Sequence, residues 1–378
     1  MTTSQAPLET QREQESIQKE IYVASPWRLM WWKFRDHRLA YLSMYGLVFL
    51  YVLAGFCEFI SPYDPWKRDV SHSYAPPHRI RVIHEGHLSR PFVYPLVQSI
   101  DPETLVRKYS EDRTRRVFIR LFPKGDAYRF WGLFPCERHL LGTGTEERVY
   151  LMGADRLGRD LLSRILYGSR ISLSIGLVGV GLSLILGIFI GGISGYYGGW
   201  VDTLIQRFIE ILRSFPTIPL WMALSAAMPA TWSQLRVYFC MTVILALIGW
   251  TGLARVVRGK ILALREEDYA VAARVAGVRE IEIILRHLIP GFASHLIVSV
   301  TLAIPGMIAA ETSLSFLRLG LRPPTISWGV LLQDAQNLRA VSLYPWLLLP
   351  IFFVILTVLM FNFLGDGMRD AADPYTHG

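Results

Sequence analysis

The stretch EEDYAVAARVAGVREIEIILRHLIP, residues 266–290, lies between two long apolar segments and ends at a proline. Charged and small side chains come first, and an apolar period of helical spacing then resumes up to Pro290. Glu267 and Asp268 place carboxylates at the positive end of a predicted helix. Gly277 can end or bend that helix because it tolerates backbone angles that other residues resist. The pattern predicts a short helix lying on the membrane surface.

The small residues of this stretch indicate a contact surface. Ala272, Ala273 and Ala276 are expected to share one face, at positions i, i+1 and i+4, where a partner's surface could approach closely. Arg274 and Arg286 fit a cytoplasmic, phosphate-facing loop. The alternative is an ordinary loop helix that joins two membrane spans, since charged amphipathic loops are common.

Composition restricts the class of protein. The chain has 378 residues, 52% of them hydrophobic, and a formal net charge of +8. It is too apolar for a typical soluble domain and too charged for a bundle of spans alone, so a membrane domain with a polar extension fits better. The positive charge is spread over loops, which favours membrane orientation and anionic lipid over a nucleic-acid partner.

The cysteines and histidines predict no bound metal. Cys57, Cys136 and Cys240 form no CxxC pair, so we expect neither a disulfide framework nor a structural zinc site. The histidines of the polar extension match no spacing of metal ligands.

Hydropathy predicts an all-α polytopic membrane protein with six transmembrane helices. The predicted spans are 40–61, 171–196, 215–231, 236–255, 292–316 and 341–364. Residues 1–39 are predicted to form a cytoplasmic tail and an interfacial anchor, because tryptophans and cations mix just before the first span. Residues 171–364 would make a core of five spans, and residues 365–378 a cytoplasmic tail.

The long polar stretch 62–170 is predicted to be an extra-membrane insertion. It contains many turn signals, and alternating runs such as RRVFIRLF (115–122) indicate some β structure. Its end, 153–173, has an apolar stripe opposite a charged face. This pattern predicts an amphipathic helix that leads into the second span.

Charge asymmetry predicts the orientation of the chain. With the N-terminus inside, the 253–291 loop is also inside and carries seven Lys and Arg, against three in the 317–340 loop outside. The insertion is then outside, which the rule allows because loops beyond about 60 residues translocate largely regardless of charge. Both termini are then cytoplasmic.

Three residues inside the spans are candidates for a pathway or gate. Pro219 and Pro305 interrupt apolar segments, which is tolerated where neighbouring helices or water satisfy the freed carbonyls; simple kinking is the alternative. Glu311 is an intramembrane acid and therefore a functional candidate. It opens the stretch 311–329, a candidate re-entrant loop.

The opening stretch also resembles the cytoplasmic coupling loop of bacterial ABC importer permeases. Ala272, Ala273, Gly277 and Pro290 match the family pattern, whereas Val271 stands where the family often has glutamate. Further blocks resemble the C-type subunit of the dipeptide/oligopeptide permease subfamily. They are GADRLGRDLLSRILYGSRISL (153–173), ETSLSFLRLGLRPPTISWG (311–329) and FNFLGDGMRDAADP (361–374). The insertion at 62–150 is longer than expected for that subfamily.

The resemblance implies a type I ABC importer permease in the inner membrane. A periplasmic solute-binding protein would deliver peptides, or related solutes, to a heterodimer of permeases. Two cytoplasmic ATPases would bind ATP and Mg and act on a coupling helix at 268–282. The coupling residues it implies are Asp268, Ala272, Ala273, Arg274, Gly277, Arg286 and Pro290. No GxxxxGK[ST] loop occurs in the chain, so we expect no enzymatic activity and no cofactor on it.

Other solutes and other classes stay open at this point. The same subfamily includes carriers of nickel, opines and sugar-containing solutes. An ion-coupled secondary transporter predicts inverted repeats and midplane charges, and the sequence lacks such charges. A membrane enzyme would need convergent polar residues within the spans.

Overall fold

The computed structural model describes residues 26–84, 86–103, 107–145, 147–229 and 231–372. The predicted cytoplasmic N-terminal tail up to residue 25 and the end of the predicted C-terminal tail lie outside the described residues.

Helices make up most of the described chain. The α-helices are α1 (Pro26–Asp36), α2 (Arg38–Gly55), α3 (Cys57–Ile60), α4 (Leu161–Tyr197), α5 (Gly199–Ser214), α6 (Thr217–Ala226), α7 (Gln234–Leu264), α8 (Asp268–Val275), α9 (Glu280–Glu282), α10 (Ala293–Phe316), α11 (Trp328–Leu331), α12 (Leu338–Leu343) and α13 (Leu349–Ala372).

Within the described ranges, five helical stretches are long and apolar enough to cross a membrane, and the fold is that of a helical polytopic membrane protein. The five are Arg38–Gly55, Leu161–Tyr197, Gln234–Leu264, Glu280–Phe316 and Pro345–Ala372. The expected span 215–231 is not among them. It contains only α6, whose ten residues extend about 15 Å, half of a bilayer core. Pro216 directly precedes α6 and the helix ends at Ala226, so the prediction of six spans is not confirmed.

The second span differs from the prediction at its start. α4 begins at Leu161 and continues unbroken to Tyr197, so no separate amphipathic helix occupies 153–173. The carboxylate of Asp160 accepts hydrogen bonds from the backbone N–H (2.8 Å) and the hydroxyl (2.7 Å) of Ser163. This N-cap fixes the start of α4, and the predicted amphipathic stripe belongs to its first turns.

The last span extends further than predicted, because two glycines allow close helix packing. α13 continues to Ala372. A side chain at Gly365 would collide with Leu302 of α10, and one at Gly367 would collide with Ala40 of α2. The stretch predicted as the start of a tail is therefore helical and packed.

A glycine stripe on α4 brings this helix into backbone contact with α7. A Cβ at Gly187 would lie 2.8 Å from Leu253, and one at Gly195 would lie 2.8 Å from the carbonyl of Arg258; Gly191, between them, is also in contact with α7. Small residues permit such close approach within a membrane. The contacts follow the same order on both helices, so α4 and α7 run parallel.

The parallel helices define two ends of the bundle. Tyr197 ends α4 and Leu264 ends α7 at what we call the α8 end, because α8 follows there. Arg170, near the start of α4, donates to the carbonyl of Gly55 at the end of α2 (3.2 Å). α2 therefore runs opposite to α4, and its last residue lies at the other end, which we call the insertion end.

The region between α3 and α4 is built from short antiparallel strands. As far as the structure describes it, the strands are β1 (Arg81–His84), β2 (His87–Val93), β3 (Leu96–Ile100), β4 (Arg107–Glu111), β5 (Val117–Phe118), β6 (Arg120–Leu121), β7 (Lys124–Phe130), β8 (Phe134–Arg138) and β9 (Leu141–Gly142). β1, β2 and β5 form one sheet, and the pairs β3–β4, β6–β9 and β7–β8 form two-stranded sheets. The run RRVFIRLF (115–122), predicted to contain β structure, holds β5 and β6, and each of these strands is only two residues long.

A buried histidine joins the start of this region to its end. The N–H of Tyr150 donates to Nδ1 of His78 (3.0 Å), and the two rings stack with centroids 6.0 Å apart. Burial lowers the pKa of His78 to about 4, because the charged imidazolium loses its hydration there.

We expect the insertion to lose stability as the pH falls from about 6.5 toward about 4, because His78 charges in the unfolded chain before it charges in the folded one. The unfolded state binds more protons in this window, so acidification favours unfolding. Thermal unfolding of the full chain between pH 7.5 and pH 4 measures the effect. His78→Gln should flatten this profile, whereas His87→Gln, at an exposed position, should keep it. An unchanged profile in His78→Gln would contradict the assignment.

Candidate functional site

The helix predicted from the opening stretch ends at a Schellman motif built on Gly277. Gly277 has φ +78°. Its N–H donates to the carbonyl of Arg274 (3.0 Å), and the N–H of Val278 donates to that of Ala273 (3.1 Å). This pattern satisfies the last carbonyls of a helix and needs a residue that adopts the left-handed region. α8 therefore stops at Val275, shorter than the predicted coupling helix 268–282.

Two alanines fasten α8 to the bundle. Ala270 and Ala273 are buried in an apolar cluster formed by α4, α7 and the helical turns after α9. Ala272 and Ala276 are exposed. The three predicted contact alanines therefore do not share one face. Successive residues of a helix point about 100° apart, so Ala273 faces inward when Ala272 faces outward. The other buried members of the cluster are Tyr196, Val257, Ile261, Ile283, Ile284, Leu288, Phe292 and Leu296.

The exposed side of α8 is charged at its start. Asp268 lies exposed in the first turn, where the helix dipole stabilises a carboxylate. The guanidinium of Arg274 lies 5.6 Å from the ring centroid of Tyr196, and its Nη2 donates to the carbonyl of Arg265 (3.4 Å). Arg274 thus lies against the end of α4.

The remaining predicted coupling residues follow the Schellman motif. Arg286 pairs with Glu282 one turn earlier (2.6 Å) on an exposed surface. Pro290 is exposed in the 3-10 turn Ile289–Phe292, which leads into α10. An exposed pair of this kind stabilises the fold only slightly, so Arg286 is free to exchange partners.

Two arginines that the sequence analysis did not single out connect the region around α8 to the neighbouring helices. Nη1 of Arg265 donates to the carbonyls of Gly195 (3.1 Å) and Tyr196 (3.0 Å) and so caps the end of α4. Arg258 of α7 donates to both carboxylate oxygens of Asp202 in α5, each at 2.5 Å. The position of Arg265 after the end of a predicted span was the available signal for a helix cap. The carbonyl of Gly195 that it caps lies about 70 residues away in the sequence, so the pair could not be predicted.

The side of α8 that faces away from the helix bundle is exposed. We call it the coupling surface: the exposed residues of α8, with Val275 83% exposed, and the shallow depression beside them. The lining residues of the depression are Ala276, Gly277, Val278, Arg279, Glu282, Arg286 and His287. Small and apolar residues with a charged rim suit close contact with another protein.

Glu311 lies in the packed interior. It is 0% exposed, and its carboxylate accepts hydrogen bonds from the hydroxyls of Ser172 (3.1 Å), Ser315 (2.8 Å) and Ser327 (2.8 Å). Ser172 and Ser327 in turn accept the N–H groups of Trp328 and Val330 at the start of α11. Glu311 therefore joins α10, α4 and the segment before α11 in the packed interior.

The two proline candidates lie on different helices. Pro305 is buried within α10, which stays helical through it. Pro219 is the third residue of α6 and exposed, in the first turn, where a missing N–H costs nothing. The structure does not bring Pro219, Pro305 and Glu311 together in one site.

A basic cavity of about 400 Å³ lies toward the insertion end. Asp155 pairs with Arg159 (2.7 Å) and with Arg164 (3.4 Å), and Asp334 pairs with Arg156 (3.3 Å). Burial raises the pKa of Asp334, and the nearby Asp155 raises it further. Arg318 and Arg322 add two more cations to the lining, so the cavity attracts anionic groups. The lining residues come from 156–164 and 318–334, which are too far apart in the chain for the sequence alone to predict one site.

Comparison with known proteins gives two family matches. Residues 184–377 match the model of the binding-protein-dependent transport system inner membrane component. Residues 25–77 match the N-terminal TM domain of oligopeptide transport permease C. The strands β1–β9 lie between the two matched regions.

Several curated proteins are similar to the chain. The oligopeptide transport system permease protein OppC of Haemophilus influenzae is 44% identical over 61% of this chain and 72% of its own length. The dipeptide transport system permease protein DppC of Bacillus subtilis is 38% identical over 59% and 68%, and the glutathione transport system permease protein GsiD of Pectobacterium atrosepticum is 39% identical over 60% and 73%.

Among solved structures, one of the inward-facing MetNI methionine ABC transporter aligns with a TM-score of 0.41 at 17% identity, over 55% of this chain and 96% of that one. The family match covers more than half of the chain, and the OppC relative is aligned over more than two thirds of its own length. The chain therefore belongs to the family of binding-protein-dependent transport system inner membrane components, as a permease subunit of an ABC importer.

Proposed function

We propose that this permease forms one half of the membrane pathway of an ATP-driven peptide importer. Relatives named for oligopeptide, dipeptide and glutathione transport support a peptide substrate. The other half would be a second, homologous permease subunit. Two cytoplasmic ATPases would bind ATP and Mg, and a periplasmic solute-binding protein would deliver the ligand.

The coupling surface carries this proposal. α8 is fastened by Ala270 and Ala273 to the ends of α4 and α7, while Ala272, Val275 and Ala276 face outward. A force applied to the outward face is therefore transmitted directly into two long helices. We assign the ATPase contact to this surface, with Arg274, Arg286 and Asp268 on its rim and Pro290 at the turn into α10.

The chain crosses the membrane six times if α5 and α6 together form one crossing in addition to the five long helical stretches. α4 and α7 are parallel, so the chain must return from the α8 end to the insertion end between residues 197 and 234. Exposed apolar residues on α5 and at its C-terminal end support contact with lipid or with the second permease. They are Trp200, Leu204, Phe208, Ile211 and Phe215.

We place the α8 end in the cytoplasm, together with the tail in 1–39 and the chain beyond the last span. The strand-containing insertion at 62–170 then faces the periplasm, where it could contact the solute-binding protein. The excess of Lys and Arg in the 253–291 loop supports this placement.

Reconstituted transport tests the function. The complex of both permeases and both ATPases, in vesicles with the solute-binding protein outside and ATP inside, should accumulate a labelled tripeptide. Vanadate should stop uptake, and an ionophore should not, because ATP hydrolysis and not an ion gradient drives it. Uptake that needs no ATPase subunits would overturn the mechanism. ATP-driven uptake of a nickel chelate or an opine in place of peptide would overturn only the substrate assignment.

A further inference from the structure

The tip of the β7–β8 hairpin is a run of apolar residues: Phe130, Trp131, Gly132, Leu133 and Phe134. Trp131, Leu133 and Phe134 are 56%, 71% and 62% exposed. Hairpin tips in water are normally built from Gly, Asn, Asp and Ser. Only Gly132, with φ +74°, fits that pattern, and Trp131 adopts the left-handed region although it is not a glycine. The composition of this tip does not suit contact with water.

The tip is attached to the end of a membrane-spanning helix. Nε1 of Trp131 donates to the carbonyl of Gly55, the last residue of α2 (2.7 Å). The ring centroid of Phe56 lies 5.7 Å from that of Phe130 and 6.2 Å from that of Trp131. Gly55 marks the end of this membrane span, and the lipid headgroups begin at that depth of the bilayer.

The exposed surface of α2 continues onto the tip. Tyr45, Phe49, Val52 and Phe56 are exposed at helical spacing and form one apolar stripe. In a membrane-spanning helix such a stripe faces lipid. Phe56 belongs both to this stripe and to the aromatic contacts of the hairpin, so the lipid-facing surface runs from α2 to the tip without a polar break.

We propose that the β7–β8 tip inserts into the lipid headgroup region beside the end of α2 and anchors the insertion to the bilayer. Tryptophan favours this zone, and phenylalanine and leucine side chains bury their apolar surface at its boundary with the acyl chains. The indole N–H of Trp131 already has a partner in Gly55, so its ring enters without an unpaired donor. Arg129, exposed beside the tip, can reach lipid phosphates. The inference rests on α2 crossing the membrane and not on peptide transport.

A depth-sensitive probe at Leu133 tests the proposal. Cys136 and Cys240 are replaced by serine, fully buried Cys57 is kept, and Leu133→Cys is labelled with a polarity-sensitive fluorophore in the full chain. In vesicles of phosphatidylcholine and phosphatidylglycerol, we expect blue-shifted emission and quenching by lipids that carry bromine near the headgroup. The matched control is Leu88→Cys in β2, also a leucine in a hairpin of the insertion and 89% exposed. Its quenching should be several-fold weaker.

Two outcomes would overturn the anchor. One is water-like emission at Leu133 with no more quenching than at Leu88. The other is shielding that begins only when the second permease or a solute-binding protein is added, which would make the tip a protein-docking surface.

The unmodified chain provides a second measurement that does not depend on substitutions. After illumination of vesicles that contain a photoreactive phospholipid, trypsin releases FWGLFPCER (130–138), which holds the whole tip. We expect lipid adducts on this peptide and not on the peptide that begins at Val82. Adducts on both peptides at equal yield, or on neither, would contradict the proposal.

Discussion

Replacing Glu311 with alanine is expected to lower the free energy of unfolding by about 3–5 kcal/mol. The substitution leaves the hydroxyls of Ser172, Ser315 and Ser327 without their acceptor in a fully buried site. Two of these serines also hold the backbone at the start of α11, so that segment should loosen from α4 and α10. The unfolding midpoint during SDS titration in mixed micelles measures the loss.

Two variants control for the nature of the effect. Glu311→Gln keeps one acceptor oxygen and should cost about 1–2 kcal/mol, less than alanine. Glu282→Ala removes an exposed glutamate paired with Arg286 and should change stability by less than about 1 kcal/mol. A stable Glu311→Ala chain that has merely lost transport would show that Glu311 acts in the pathway, as the sequence had suggested.

Replacing Ala276 with tryptophan is expected to reduce ATP-driven uptake at least tenfold, which corresponds to about 1.4 kcal/mol of lost coupling. Ala276 is exposed on the coupling surface, and its backbone (φ −70°, ψ −2°) accepts any L-residue. The bulky ring would keep an ATPase from approaching closely, while the permease itself stays folded. Uptake into vesicles and the unfolding midpoint are measured on the same preparation.

Ala276→Ser is the matched control and should transport nearly as well as the unsubstituted chain. Ala273→Trp provides the contrast: Ala273 is buried on the inner face of α8, so its substitution should lower stability as well as uptake. Normal uptake by the Ala276→Trp complex would place the ATPase contact elsewhere.

Local patterns predicted much of the fold. Apolar windows identified the spans around α2, α4, α7, α10 and α13, because lipid demands a continuous run of apolar residues. The window 215–231 is not confirmed as a span, because prolines and a turn limit α6 to ten residues. The boundaries shifted where packing extends a helix, as Gly365 and Gly367 do for α13.

The site was harder to predict because its partners are distant in the chain. An acid within an apolar segment singled out Glu311, yet Ser172, its partner on α4, is 139 residues away. The stop at Gly277 was visible because a glycine followed a helical period. The sequence could not show that Ala273 faces the bundle, because the apolar cluster that buries it is formed by residues from several distant helices. The five arginines of the basic cavity are likewise joined only by folding.

The length of α4 has a mechanical consequence. Its 37 residues extend about 55 Å, well beyond the roughly 30 Å of a bilayer core. Because the glycine stripe holds α4 in backbone contact with α7, we expect the two helices to move together, with α8 after the end of α7 and the β-strands before the start of α4. If the ATPases act on α8 as proposed, a tilt of the paired helices would also displace the β-strands at the opposite face of the membrane.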